Sequence, residues 1–136
     1  MVAARIGLLA VVLLAPTAVF AQELAAGQKL YESHCGKCHG MRLEGQQDWM
    51  KRLPSGRLPA PPHDETGHTW HHTDEQLLKI TLEGLASIAP GYETDMPAFE
   101  DVLTEAEVRS IFDYIKSRWP ARIRETQKAR SEVSEE

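Results

Sequence analysis

Residues 35–39 read Cys35-Gly36-Lys37-Cys38-His39, and these two cysteines are the only ones in the 136-residue chain. Two thiols about one helical turn apart, with a histidine directly behind the second, form the attachment pattern of c-type haem. The thiols form thioethers to the two vinyl groups on one edge of the porphyrin, and the next residue then falls beneath the ring, where its imidazole can coordinate iron. A thioredoxin-type Cys-x-x-Cys would want a βαβ context, and none appears nearby. Half of a zinc site would want a second Cys or Cys/His pair at ligand spacing. Cys35 and Cys38 are therefore the candidate haem-binding residues, and His39 is the candidate axial ligand to the iron.

Outward from the motif, the apolar pattern is helical. Glu23 to His34 carries Leu24, Gly27, Leu30 and Tyr31 on one face. Gly27 costs a helix about 1 kcal/mol relative to Ala, so its presence predicts a close crossing with another helix. Residues 40–72 show little regular pattern. They hold Pro54, Pro59, Pro61 and Pro62 and four of the six histidines, and read as a long loop with one turn of helix around Gln46 to Arg52. Within that turn Met50 stands beside Trp49 and Leu53, a short amphipathic pattern suited to packing.

Thr73-Asp74-Glu75-Gln76 is a capping box. It opens a helix bearing Leu77, Leu78, Ile80 and Thr81 that should end near Gly84. Thr104-Glu105-Ala106-Glu107 is a second one, and behind it Val108, Ile111, Phe112, Ile115 and Trp119 form an apolar stripe that Pro120 terminates. From Ala121 the chain is charged, basic first and acidic last, and reads as a helical extension or a frayed tail. No repeat and no alternating strand pattern appears, so the expected fold is all-α.

The two ends complete the organisation. Residues 1–21 place Arg5 before an apolar run, with small residues at Val19 and Ala21 that suit cleavage after Ala21, the layout of a secretory signal. The run is shorter than the roughly 20 residues that span a bilayer, and no cysteine follows it to carry a lipid. The expectation is an exported, soluble, periplasmic protein with no stable membrane insertion after cleavage: signal peptide 1–21, domain 22–120 and charged tail 121–136. Removing the leader takes away one positive charge and makes the formal net charge of −5 one unit more negative, which argues against nucleic acid as a partner. Without the leader the chain falls short of the ~45–50% apolar content of globular domains, so something extra is expected to complete its interior.

With His39 on one side of the iron, the opposite face needs a group from a distant segment. Met41, two residues beyond His39, cannot reach across the ring, and Met50 suits packing. Met96 lies in a loop between two helices, and Pro97 removes a donor and holds Met96 extended, which suits a thioether kept at one distance from iron. Met96 is the second candidate metal ligand. A His/Met pair raises the potential and leaves no open position for a substrate.

These residues resemble the class I c-type cytochromes of the small exported bacterial kind. The resemblance rests on the opening helix with Gly27 and Tyr31, on Cys35 to Gly40, on Met96-Pro97-Ala98-Phe99 and on the closing Tyr114-Ile115-Lys116, and spans residues 23–119. It implies a fold of three to four helices around one covalently bound haem c. The first and last helices would cross near Gly27, Tyr31 and the Phe112 to Ile115 region. It implies an electron carrier rather than an enzyme, working between a redox protein donor and acceptor, with the haem itself filling the interior.

One departure is Pro61 to His72, with His63, His68, His71 and His72. Imidazoles suit copper and related metals, and a copper-binding haem protein using this loop is one alternative. Contacts to the haem propionates, with Trp70 packed on the ring edge, are another reading of the loop. A haem enzyme or gas sensor with an open sixth position is the remaining alternative. Lys29, Lys37 and Arg42 lie near the motif in sequence and suggest a positive rim facing an acidic partner.

Overall fold

The protein is described by a computed structural model over residues 16–133, so most of the leader expected at 1–21 lies outside the described residues. Among the described residues there are four helices of ten residues or more, a one-turn α-helix, two short 3-10 turns (Thr69–His71 and Leu85–Ser87) and no strand. The all-α expectation holds.

The first helix, α1, runs Pro16–His34, starting well before the predicted Glu23. Alanines at 18, 21, 25 and 26 favour the helix. Cys35 interrupts it, and α2 (Gly36–His39) is a single turn that ends at Gly40 with φ 84°. Both capping boxes form. Thr73 opens α3 (Asp74–Glu83), with its side chain accepting from Gln76 N and Gln76 answering to the Thr73 backbone. Thr104 opens α4 (Glu105–Ser117) through the same exchange with Glu107. Gly84 at φ 87° ends α3, in a left-handed conformation that favours glycine.

α1 and α4 pack against each other, and Gly27 shows why. A Cβ on Gly27 would fall on the Ser110 carbonyl oxygen, 2.8 Å from the Ser110 carbonyl carbon and 3.3 Å from Tyr114 Cβ. The absent side chain lets the two backbones touch. One turn further along, the rings of Tyr31 and Tyr114 meet at 5.6 Å. Val108, Ile111, Phe112, Ile115 and Trp119, the predicted stripe, are all buried beside Tyr31.

Pro120 does not end the helical part of the chain. It starts α5 (Ala121–Val133), accepting from Ile123 N at 3.0 Å and Arg124 N at 3.2 Å. Ile123 and Gln127 are 2% exposed, so this charged segment is docked rather than frayed. Gln127 Nε2 donates to Asp74 Oδ1 at 2.5 Å and to Ser131 Oγ at 3.1 Å, and Lys116 Nζ meets both Asp74 oxygens at 2.6 Å. Charged-group hydrogen bonds are worth roughly 1.5–3 kcal/mol. Gln127→Ala is expected to cost about 1–3 kcal/mol in chemical denaturation. Gln127→Glu should cost more at neutral pH, because a second carboxylate would then face Asp74.

Residues 40–72 are irregular but pinned. Leu43 O accepts from His63 N at 2.8 Å, Gln46 N donates to Ala60 O at 2.9 Å, and Ala60 N returns a bond to Gln46 Oε1 at 3.0 Å. The helical turn expected around 46–52 is instead a turn at 47–50, because Asp48 takes φ 53°, outside the helical region. Met50, expected to pack, is 77% exposed, since that turn swings its side chain away from the core.

Candidate haem-attachment site

Helix α1 delivers the motif. Cys35 N donates to Tyr31 O at 2.8 Å, continuing the α1 pattern, and Cys35 O then accepts from Cys38 N at 3.1 Å and His39 N at 2.9 Å. This winds 35–39 into one tight turn and brings Cys35, Cys38 and His39 together. Tyr31, fully buried, ties the turn down from inside by donating Oη–H to Gly40 O at 2.8 Å. Both cysteines are free thiols, Cys38 exposed and Cys35 partly buried. Burial, and then the neighbouring Cys38, push the Cys35 thiol up to about 11, so it is protonated at neutral pH.

His39 is buried and held by one bond, with Nδ1 2.8 Å from the Pro61 carbonyl oxygen. A carbonyl only accepts, so Nδ1 carries the proton. Burial lowers the His39 pKa, against the opposing effect of the Pro61 bond, so the ring is neutral and its lone pair sits on Nε2. A neutral imidazole fixed in one tautomer by a backbone carbonyl is the form that ligates metal. Sequence reasoning missed Pro61. Its signal was a proline pair closing an irregular segment.

Met96 stands apart on the loop between α3 and α4, half-buried, with its N–H donating to Thr94 Oγ1 at 3.1 Å. Phe99, three residues on, ties this loop to α3 through N–H bonds to Thr81 O and Leu82 O at 3.0 and 3.1 Å. Its ring meets that of His34, the residue before Cys35, at 6.4 Å. The Met96 loop thus comes alongside the end of α1 that carries the motif.

The four loop histidines scatter. His63 lies edge-on to His39 with ring centroids 4.0 Å apart, His68 stacks on Trp49 at 5.6 Å, His72 is 5.5 Å from His68, and His71 lies against Trp70 at 3.7 Å. Among the described residues no group of three His, Cys, Asp or Glu side chains is placed to hold a metal. The copper reading thus lacks converging ligands.

The residues present fit a haem. The thiols and the lone-pair nitrogen of His39 share one turn. Two buried ring nitrogens, His63 Nδ1 and Trp70 Nε1, have no hydrogen-bond partner among the described residues. An indole N–H only donates, and burying it unpaired costs about 1–3 kcal/mol, so it calls for an acceptor from outside the chain. The carboxylates of a haem are such acceptors.

No described helix is long and apolar enough to cross a membrane. No curated protein and no solved structure matches the chain. Residues 22–115 match the model of the family described as cytochrome C oxidase, cbb3-type, subunit III. That match covers the motif, the Met96 loop and the crossing of α1 with α4, and the chain belongs to this family of class I c-type cytochrome domains, which bind haem c covalently and use it to transfer electrons with redox partners.

Proposed function

We propose that the chain carries single electrons through one haem c attached by Cys35 and Cys38, with His39 and Met96 as axial ligands, as an exported periplasmic protein and not an enzyme. The observation that carries this reading is the Pro61-bound, neutral His39 on the same turn as two free thiols. When bound, the haem supplies the one-electron redox couple. The chain's own part is to hold it. Cys35 and Cys38 anchor it, and His39 offers Nε2 while Pro61 keeps its ring from turning. Met96, held extended by Pro97, supplies a soft thioether that favours the reduced iron. Trp70 and His63 offer ring nitrogens to the propionates, and Tyr31 and Trp119 close the apolar side against water.

A ligand on each face leaves no site for a substrate, which separates a carrier from a haem enzyme or gas sensor. The test is the absorption spectrum of the purified protein, oxidised and reduced, with and without carbon monoxide. A c-type reduced spectrum, a weak long-wavelength iron–sulfur band when oxidised and no shift with carbon monoxide are expected. Immediate carbon monoxide binding with no iron–sulfur band overturns the carrier reading. In the Cys35→Ala/Cys38→Ala double variant the haem should leave with acidified organic solvent, whereas in the natural chain it should stay bound.

A further inference from the structure

The segment between Gln46 and Ala60 is closed at its base by the backbone pair already described. At its tip Leu53 N donates to Arg57 O at 2.8 Å, Gly56 N to Leu53 O at 2.9 Å, and Arg52 Nη1 to Gly56 O at 2.6 Å. This stiffened tip sends two arginines to the loop that bears Met96. The Arg57 guanidinium pairs with the Asp95 carboxylate, and Arg52 Cζ lies 6.0 Å over the Tyr92 ring. Asp95 directly precedes Met96, and Thr94, one residue earlier, holds the Met96 N–H. Two ties from one stiff loop therefore fall on the Met96 loop, one on Asp95 directly before Met96 and one on Tyr92, on either side of the Thr94 that holds the Met96 N–H.

We propose that residues 46–60 are a strap that holds the Met96 loop closed, with Arg57 and Asp95 as its positioning pair and Arg52 on Tyr92 as a second tie. The inference rests on Met96 being the sixth ligand. For Met96 to leave the iron its loop must move, and moving it breaks the Arg57–Asp95 pair. Both partners are partly exposed, so the pair is of modest strength and is screened by salt. The strap thus biases the opening equilibrium by a small factor, which an external ligand competing for the iron reads directly.

The test uses the oxidised haem-loaded protein and added imidazole as the competing ligand. Arg57→Ala and Asp95→Asn are each expected to raise the apparent imidazole affinity about three- to fivefold, and the double variant to raise it no further. Arg57→Lys should retain part of the effect. In the natural chain the affinity should rise with ionic strength, and in the double variant it should not. Unchanged affinity in both single variants, or independent and additive effects, overturns the strap. If the variants do not accumulate, the salt series on the natural chain decides, and a flat response overturns it. A merely structural role would lower the denaturation midpoint and leave the imidazole affinity unchanged. Failure of the Met96 reading is distinct, because the oxidised natural chain would then show no iron–sulfur band at all.

Discussion

Replacing Met96 with alanine is expected to abolish the iron–sulfur band, open the sixth position to carbon monoxide and lower the reduction potential by roughly a few tenths of a volt, out of the ~0.8 V over which axial ligands act. The thioether is a soft donor that favours the reduced iron. Losing it leaves His39, whose ring Pro61 still holds, and the opposite side goes to water or an external ligand. The fold should survive, because Met96 is only half-buried and lies outside the core formed by Tyr31, Ile111, Ile115 and Trp119. Circular dichroism and a redox titration of the variant check both halves. A variant that keeps the band and the potential of the natural protein would move the ligand elsewhere.

Gly27→Ala is expected to destabilise the fold, although it removes a glycine from a helix. Alanine is a better helix former than glycine by about 1 kcal/mol, and on an exposed helix it would stabilise. Here the new methyl would meet the Ser110 carbonyl group, which is backbone of α4 and cannot rotate aside. Overpacking costs about 1–3 kcal/mol where side chains can adjust. With backbone as the obstacle the upper end applies, and the clash outweighs the propensity gain. Gly27→Val, branched at Cβ, should cost more still. Because α1 runs straight into Cys35, a displaced crossing also moves the motif, so haem incorporation should fall along with the denaturation midpoint. A Gly27→Ala protein as stable as the natural one would remove the close crossing from the account of the fold.

The regular elements were legible because each is written locally. Thr73 with Gln76 and Thr104 with Glu107 are bonded over three residues, so both helix starts could be read directly and both formed. Gly27 was legible as a cost in need of a reason, and Ser110 is that reason. The resemblance supplied which two helices cross. The irregular half was not legible, because its bonds join residues far apart. Nothing in Gln46 or Ala60 announces that their backbones pair, nor that Leu43 O waits for His63 N. Asp48 in a left-handed conformation turned an amphipathic pattern into an exposed turn and left Met50 in solvent. The charged composition of α5 concealed two buried positions, Ile123 and Gln127, the latter bonded to Asp74 at the start of α3. Within the site, the spacing of Cys35, Cys38 and His39 carried its own chemistry, whereas the Pro61 carbonyl that sets the His39 tautomer is 22 residues away.

The crossing of α1 with α4 also bears on the order in which the chain folds. It joins positions far apart in sequence, Gly27 and Ser110, and closing a loop of that size costs about 4 kcal/mol of chain entropy. α1 stays without its α4 partner until that long loop closes. Over that interval Cys35, which the finished fold partly covers, is expected to be more accessible. A helix whose partner is distant in sequence thus leaves the turn at its C-terminal end open for longer than a locally paired helix would.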